Sequence, residues 1–245
     1  MQNHIFGIHA ALAAIGKQTI TKAYLLANRQ DIKLQQIQTQ LKQQNVKTQF
    51  VDRQQLDELV DGANHQGIVL EVLSQNKSYN EADIQNIIAA NDQPKIILIL
   101  DGVQDPHNLG ACLRSADAFG VSMIIAPKDN AVGLTSVVHK VACGAAETVP
   151  FIAVTNLART MRLLQEAGFW LYGLSGAASD TIFQAPLTGN IGLVMGAEGK
   201  GLRQLTEKTC DGLYHIPMQG TVESLNVSVA TGIVLAEATR QRNKR

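Results

Sequence analysis

The sequence predicts an α/β protein with a mostly parallel sheet, preceded by a smaller α/β unit. Patterns typical of strands and helices alternate along most of the 245 residues, which favours a parallel sheet with helices on both sides. Ile96 to Leu100 form a continuous apolar run, as expected for a strand buried on both faces of such a sheet. A polar, turn-rich stretch begins at Ser74. We therefore expect a first domain at residues 1–73, a linker at 74–94 and a second domain at 95–245.

The first domain is predicted to alternate helices and strands. Its longest helical pattern places Ile32, Leu34, Ile37 and Leu41 on one face, with glutamine and lysine between them. The predicted elements are a helix at Gly7–Ile15, a strand at Ala23–Ala27, a helix at Ile32–Gln44, a strand at Thr48–Val51, a helix at Arg53–Val60 and a strand at Ile68–Leu73. A short helix at Glu81–Ala90 is expected within the linker.

The second domain is predicted to contain six strands with helices between most of them. The strands are expected at Ile96–Leu100, Ser122–Ala126, Val149–Val154, Trp170–Leu174, Leu193–Met195 and Leu213–Ile216. One helix is expected to follow the first strand at Leu109–Phe119, and the last to occupy Leu225–Arg240.

Composition narrows the classes of function. Twenty-one basic residues balance 21 acidic ones, so the chain is not a strongly basic nucleic-acid binder, although a local basic patch would suffice for phosphate contacts. Cys112, Cys143 and Cys210 are too far apart for a zinc knuckle, so no metal is expected, and their odd number favours a reducing compartment. The N-terminus does not resemble a secretion signal, and no apolar run reaches the roughly 18 residues of a membrane span. We expect a cytoplasmic protein without a membrane partner.

The first of three polar motifs follows the strand at Ile96–Leu100. Asp105-Pro106 fixes a turn, Asn108 is expected to cap the next helix, and Gly110 lets the backbone approach a partner closely. Arg114 lies about a turn and a half into that helix, where a guanidinium suits a phosphate or a carboxylate. A capped helix with a surface arginine explains the same residues. The loop lacks the G-x-G-x-x-G fingerprint of dinucleotide-binding proteins.

The second motif, Gly196-Ala-Glu-Gly-Lys-Gly, follows the strand at Leu193–Met195. A Walker loop has four residues between its first glycine and the Gly-Lys pair, whereas only two stand here, so the NTPase interpretation fails. Glu198 lies among three glycines with little steric cover. Its carboxylate could orient a ligand, pair with Arg114, or simply be solvated.

The third motif surrounds the start of the last predicted helix. Ile216-Pro-Met ends a strand, and a turn at Gln219-Gly-Thr-Val follows it. Serine and asparagine are poor residues inside a helix but good caps and hydrogen-bonding groups. One cap explains only one of the three polar residues here, so their alternation with apolar ones suggests a wall that faces a ligand. The polar residues are Ser224, Asn226 and Ser228, and the apolar ones are Leu225, Val227 and Val229.

Taken in order, the three motifs resemble a known family. Asn-x-Gly-x-x-x-Arg, Gly-x-Glu-x-x-Gly and Ser-x-Asn-x-Ser-x-Ala are similar to the motifs of the SpoU-type RNA 2′-O-ribose methyltransferases of the SPOUT superfamily, and the resemblance covers the whole chain. It implies a trefoil-knotted methyltransferase domain after a small L30e-like RNA-binding domain. It also implies a homodimer that uses S-adenosylmethionine to methylate the ribose 2′-hydroxyl of a guanosine in large-subunit (23S) ribosomal RNA.

The resemblance also implies roles for individual residues. The implied catalytic residues are Asn108, Arg114, Glu198, Ser224 and Asn226. The implied cofactor-binding residues are Met195, Gly196, Ala197, Ile216, Pro217 and Leu225. Glu223 stands where the family pattern has a small residue, which puts local details of the site in doubt.

The proton of the 2′-hydroxyl must leave during transfer, and Arg114 is implied as base or activator. Because an arginine holds its proton up to a pH of about 12 or more, we interpret it as an anchor for the nascent alkoxide or a phosphate. Glu198 would then orient Arg114, and Asn108 would position the ribose or a phosphate. His107 is an alternative base, although a loop histidine is more often solvent-facing.

RNA contacts are expected from basic residues at both ends of the chain. They are Lys17, Lys22 and Arg29 in the first domain and Arg240 and Arg242 near the C-terminus, although basic ends are often merely solvated. An aromatic content of 4% argues against a stacking platform for single strands. A non-catalytic RNA-binding protein on this scaffold, and an α/β enzyme using a nucleotide or nicotinamide, stay as alternatives.

Overall fold

The computed structural model describes residues 2–16, 19–27, 29, 31–60, 62–73, 78–222 and 224–243 of this chain. Contacts between residues divide it into two units, Met1–Asn76 and Lys77–Arg245. The predicted boundaries of the two domains and the linker stay a prediction. In the described part of the predicted linker, Tyr79 forms a bridge with Ile152 and Ile84 is buried in a core of the second unit.

The first unit is a four-stranded sheet in the order β1-β4-β2-β3. β4 is antiparallel to both β1 and β2, whereas β2 and β3 are parallel. The strands are β1 (Gln2–Phe6), β2 (Ile20–Leu26), β3 (Lys47–Val51) and β4 (Ile68–Leu73), and the helices are α1 (Ile8–Ala14), α2 (Ile32–Gln43) and α3 (Arg53–Leu59). The sequence patterns missed β1, because this short, mostly polar segment has no apolar run.

Helix α2 shows how the apolar pattern positions an element of this unit. Leu34, Ile37 and Leu41 are buried, and they pack with residues of α1, β2 and β4. Ile32 belongs to the same sequence pattern but is 76% exposed, because it stands at the first residue of the helix, beyond the edge of the core. The Asp31 side chain caps this end by accepting a hydrogen bond from Lys33 N.

The second unit contains a seven-stranded sheet in the order β7-β6-β5-β10-β8-β11-β9. Each pair of neighbouring strands is parallel, so the predicted mostly parallel sheet is confirmed. The strands are β5 (Ile96–Asp101), β6 (Met123–Pro127), β7 (Phe151–Val154), β8 (Trp170–Leu174), β9 (Asp180–Thr181), β10 (Ile191–Gly196) and β11 (Gly212–His215).

Helices cover both faces of this sheet, and β5 contributes to the core on each side. Ile96, Leu98 and Leu100 belong to one core cluster, whereas Ile97 and Ile99 belong to the other. Every residue of β5 is buried, as the continuous apolar run predicts. The helices are α4 (Asp83–Ala89), α5 (Pro106–Ala118), α6 (Ser136–Ala142), α7 (Ala145–Thr148), α8 (Leu157–Glu166), α9 (Gln204–Thr209) and α10 (Val227–Arg242), and a 3₁₀ helix lies at Ile182–Gln184.

Cys112 of α5 is a packing residue rather than a reactive one. It is fully buried, and its Sγ lies 3.6 Å from Thr231 Oγ1 of α10. Burial raises the pKa of the Cys112 thiol to about 11, which keeps it protonated near neutral pH. The described helices include none long and apolar enough to cross a membrane. The expected trefoil threading of the C-terminal end stays a prediction.

Candidate active site

The three motifs follow β5, β10 and β11, at the carboxyl edge of the second unit's sheet. β5 and β10 are direct neighbours, and Gly196 at the end of β10 lies in register with Asp101 at the end of β5. β11 lies two strands beyond β10. Loops at this edge of a parallel α/β sheet are where such proteins form ligand sites.

Helix α5 begins three residues earlier than the sequence predicts, and Asn108 is not its cap. Asp105 is the N-cap, since its Oδ1 accepts a hydrogen bond of 3.0 Å from His107 N, and Pro106 is the first helical residue. Proline is common at the first helical position, because its fixed φ suits a helix and because the N–H that it lacks would have no partner within the helix there. Asn108 therefore lies in the first turn, buried at 8% exposure, with its side chain free for other contacts.

Asn108, Glu198 and Asn226 form a polar triangle that joins all three motifs. Asn226 Nδ2 donates to Asn108 Oδ1 at 2.8 Å, and Asn108 Nδ2 donates to Glu198 Oε2 at 3.3 Å. Asn226 Nδ2 also lies 3.4 Å from Glu198 Oε2, which closes the triangle. Glu198 and Asn226 lie 90 and 118 positions from Asn108 in the sequence, so the fold brings the three residues together.

Asn226 also starts the last helix. Its Oδ1 accepts hydrogen bonds from Ser228 N at 2.9 Å and Ser228 Oγ at 2.6 Å, so α10 begins at Val227 rather than at the predicted Leu225. Since Oδ1 is the cap, Nδ2 must face the triangle, and the orientation of the amide is fixed. Ser224 is exposed and makes no hydrogen bond within the described residues, and Glu223 lies outside them.

The segment Gly196–Arg203, called the glycine loop below, carries Glu198. Ala197 N donates to Gly201 O at 3.1 Å, and Gly201 N donates to Ala197 O at 2.9 Å, which closes a tight turn. Gly199 and Gly201 have φ of 73° and 66°, a region that favours glycine. Glu198 is exposed at this turn. Its carboxylate is not merely solvated, because it accepts hydrogen bonds from Asn108 and Asn226.

Arg114 lies apart from the triangle. It is exposed on α5, and its Nη1 lies 3.9 Å from the Sγ of Cys143, a residue that the sequence motifs do not mark. No ion pair among the described residues joins Arg114 to Glu198, so these two side chains do not form the expected pair in this structure. Arg114 lines a groove of about 330 Å³ between α5 and α10, together with Ala111, Ser115, Ala118, Phe119, Ser228 and Val229.

The residues expected at the cofactor fit a ligand held by backbone. Met195 is buried, while Gly196, Ala197, Ile216, Pro217 and Leu225 are half-buried beside the strand ends. The backbone N–H groups of Met218 and Leu225 make no hydrogen bond within the described residues, so they are free to bind the polar edge of a small ligand. Within the same part of the chain, no group of three or more histidine, cysteine or acidic residues has the arrangement of a metal site.

Comparison with known families decides what this arrangement is. The model of the SpoU rRNA methylase family matches residues 95–236, more than half of the chain and all three motifs. The chain belongs to the SpoU rRNA methylase family. The model of an RNA 2′-O ribose methyltransferase substrate-binding domain matches residues 4–77.

Relatives of this SpoU chain cover nearly its whole length. The 23S rRNA (guanosine-2′-O-)-methyltransferase RlmB of Vibrio vulnificus is 55% identical over 240 residues, 97% of this chain and 96% of that protein. RlmB of Escherichia coli is 53% identical over 245 residues, 99% of this chain and 100% of that protein. The structure of the SpoU methyltransferase AviRb of Streptomyces viridochromogenes in complex with AdoMet has the same fold, with a TM-score of 0.75 at 20% identity over 98% of this chain and 90% of that one.

The arginines predicted to bind RNA near the C-terminus of this SpoU chain already have protein partners. Arg240 donates from Nε and Nη2 to the Glu237 carboxylate, both at 2.7 Å, and this hydrogen bonding raises the pKa of Arg240. Arg242 donates to the carbonyls of Pro94 at 2.9 Å and Leu187 at 3.0 Å, and burial lowers the pKa of its guanidinium. Arg242 therefore joins α10 to other segments of the second unit, whereas Arg240 bonds within α10. The part of both arginines in RNA binding stays a prediction.

In the first unit, the predicted RNA-binding residues have fewer partners. Lys22 Nζ lies 4.5 Å from the centroid of the Tyr24 ring. Arg29 is exposed and donates from Nη1 to Gln66 O at 3.0 Å and from Nη2 to Asp31 at 3.2 Å. Lys17 lies outside the described residues. RNA binding by these three residues also stays a prediction.

Two substitutions of Asn226 should separate its role as a helix cap from its role in the triangle. Asn226→Ala should lower the free energy of unfolding by about 1 kcal/mol, whereas Asn226→Ser keeps a capping oxygen and should change it much less. Both remove the amide that bonds Asn108, so both should reduce methyl transfer to RNA by roughly tenfold or more. Urea unfolding and an initial-rate assay measure the two effects. Near-normal rates in Asn226→Ser would show that the amide matters only as a cap.

Proposed function

We propose that this protein transfers a methyl group from S-adenosylmethionine to the ribose 2′-hydroxyl of a guanosine in large-subunit ribosomal RNA. The polar triangle carries the proposal, because it joins the three family motifs at one edge of the sheet. Relatives whose names state this activity are 53% and 55% identical over at least 97% of the chain, and this similarity supports the substrate. An enzyme of this kind works where ribosomes are assembled, so we also propose a cytoplasmic location.

The glycine loop and the segment after β11 would hold the cofactor. Gly196 allows close approach of backbone, Pro217 restricts the φ of its segment, and the N–H groups of Met218 and Leu225 are free. Met195, Ala197 and Ile216 would complete the contacts. When bound, S-adenosylmethionine would supply an electrophilic methyl group on its sulfonium.

The protein's own contribution is to align the ribose and stabilise the charge that develops on it. Alignment of the reacting groups supplies several kcal/mol in favourable cases, up to about 7–11 kcal/mol. Asn108 and Asn226 would orient the ribose, since their amides are fixed by each other and by Glu198. Ser224, exposed two residues before Asn226, would add a hydroxyl contact.

Arg114 would stabilise the oxygen from which the proton leaves. Its guanidinium is exposed and has no carboxylate partner within the described residues, so its positive charge is available to an alkoxide or a phosphate. A fixed cation at the position of developing charge is among the strongest catalytic effects that a protein supplies. Glu198 acts in this scheme by holding the two asparagines rather than by orienting Arg114.

We also propose that the protein acts as a homodimer. The α5–α10 groove contains Arg114, and on its rim Val229 is 50% exposed. Val222, just before α10, is 62% exposed. An apolar surface of this kind beside a catalytic arginine fits a second copy of the chain, which would then enclose the site. Light scattering should give twice the 26.4 kDa of one chain.

Ligand binding and RNA mapping test the proposed reaction. Titration should show binding of S-adenosylmethionine and not of ATP or NAD. Mass mapping of 23S ribosomal RNA, incubated with the protein and S-adenosylmethionine, should show a ribose methyl group on a guanosine. Binding without methylation of any RNA would favour a non-catalytic RNA-binding protein, and preference for ATP or NAD would overturn the proposal.

A further inference from the structure

Asp101 is a buried carboxylate to which the sequence motifs assign no role. It ends β5, directly after the apolar run, and its side chain is fully buried. A buried charge is costly unless it is paired and hydrogen-bonded. At the edge of the sheet where the candidate site lies, such a group needs a specific partner.

Arg203, at the far end of the glycine loop, is that partner. Its backbone N donates to Asp101 Oδ2 at 2.9 Å, and its Nε and Nη2 both reach Asp101 Oδ1 at 2.5 Å. Both carboxylate oxygens are therefore bonded to one residue, 102 positions along the chain. The guanidinium is half exposed whereas the carboxylate is fully buried, so the pair extends from the interior to the surface.

The two ends of the glycine loop are thus fixed to the same strand. At its start, Gly196 lies in register with Asp101 in the β10–β5 ladder, and at its end Arg203 bonds the Asp101 side chain. Between these two ends, the hydrogen bonds of Ala197 with Gly201 hold the central residues of the loop in a turn. Glu198 lies within this closed loop, and its contacts of 3.3 and 3.4 Å to the asparagines are long enough to be lost by a small shift.

We propose that Asp101 and Arg203 are positioning residues that hold the glycine loop in place and thereby set Glu198 against Asn108 and Asn226. Neither residue contacts the triangle directly. Their effect on catalysis passes through the position of the loop, and this inference rests on the function proposed above. The pair adds a buried ionic anchor beneath a loop whose turn is held by backbone hydrogen bonds.

A double-mutant cycle with Glu198 tests this coupling. Arg203→Lys keeps the charge but loses the forked donor geometry, so it should lower kcat by roughly tenfold, below the hundredfold that a displacement of about 1 Å can cost. In a Glu198→Ala background the same change should lower kcat less than twofold, because the group being positioned is absent. Arg162→Lys, at an exposed arginine of α8, is the matched control and should have no effect in either background.

Hydrogen exchange gives a second readout that does not depend on activity. Arg203→Lys and Asp101→Asn should speed amide exchange in residues 197–203 and leave the β8 residues Trp170–Leu174 unchanged. Equal losses of kcat in both backgrounds, unchanged exchange in the loop, or global unfolding of Arg203→Lys would each overturn the inference. If the wild-type protein transfers no methyl group, the proposed function fails, while the exchange experiment still decides whether the pair holds the loop.

Discussion

Replacing Arg114 by alanine should reduce methyl transfer by about 10²–10³-fold, while S-adenosylmethionine affinity changes less than about threefold. The loss corresponds to the removal of one fixed charge that stabilises developing negative charge on oxygen. The residues proposed to hold the cofactor lie at the end of β10 or follow β10 and β11, whereas Arg114 lies on α5, so the arginine is not expected to hold the cofactor.

The same substitution should leave the fold almost intact. Arg114 is exposed, and its one hydrogen bond among the described residues is the weak one to the sulfur of Cys143. Surface substitutions away from special features usually change the free energy of unfolding by less than about 0.5 kcal/mol. A large loss of activity with an unchanged urea midpoint would therefore assign Arg114 to the chemistry.

Two companion variants sharpen this test. Arg162→Ala removes an exposed arginine from α8 and should have normal activity. Arg114→Lys keeps a positive charge but not the planar fork, so it should recover only part of the rate. Single-turnover rates with saturating S-adenosylmethionine measure the chemical step directly. Near-normal methylation by Arg114→Ala would contradict both the anchor role and the base role of this residue.

Most of the second unit's fold could be predicted because buried parallel strands leave a strong signal. The apolar run in β5 predicts a central strand, and helical patterns between strands predict the crossover connections. β1 and β9 could not be predicted, since each is short and is specified by pairing with a distant strand rather than by its own residues. Tertiary context decides such elements.

The candidate site was predictable as a set of residues but not as a set of contacts. Spacing marks Asn108, Glu198 and Asn226, yet it does not show that they bond to one another. The expected cap at Asn108 was wrong, because the Asp105-Pro106 pair three residues earlier in the sequence is a stronger signal for a helix start. An Asp-Pro pair is thus a better indication of the helix start here than the asparagine that follows it.

The Asp101–Arg203 pair lies beyond what the sequence alone can indicate. An aspartate directly after a buried apolar run does suggest a carboxylate that needs a partner. The identity of that partner depends on β10 lying beside β5 in the observed register, and on the length of the glycine loop. The position of β10 beside β5 cannot be read from local patterns, because it arises from pairing between segments far apart in the chain.

Gly196→Ala should reduce S-adenosylmethionine affinity by about a hundredfold or more and lower the free energy of unfolding by about 1–3 kcal/mol. A Cβ on Gly196 would lie 2.2 Å from Gly201 C, 2.3 Å from Gly201 O and 2.5 Å from Leu202 N. All three atoms are backbone, so no side chain can rotate away. The loop must move as a whole, although the Ala197–Gly201 hydrogen bonds and the Asp101–Arg203 pair oppose that movement.

The variant should lose affinity while the domain stays folded, because the loop can open while the sheet beneath it stays intact. Gly176→Ala is the matched control, since a Cβ there has no neighbour within 4 Å, and it should bind the cofactor normally. Calorimetric titration and urea unfolding of both variants measure the two quantities. If Gly196→Ala bound S-adenosylmethionine as the wild type does, the cofactor would not depend on the shape of the glycine loop. Global unfolding of this variant would instead place the loop in the folding core, contrary to the local opening expected for a segment whose central residues are exposed.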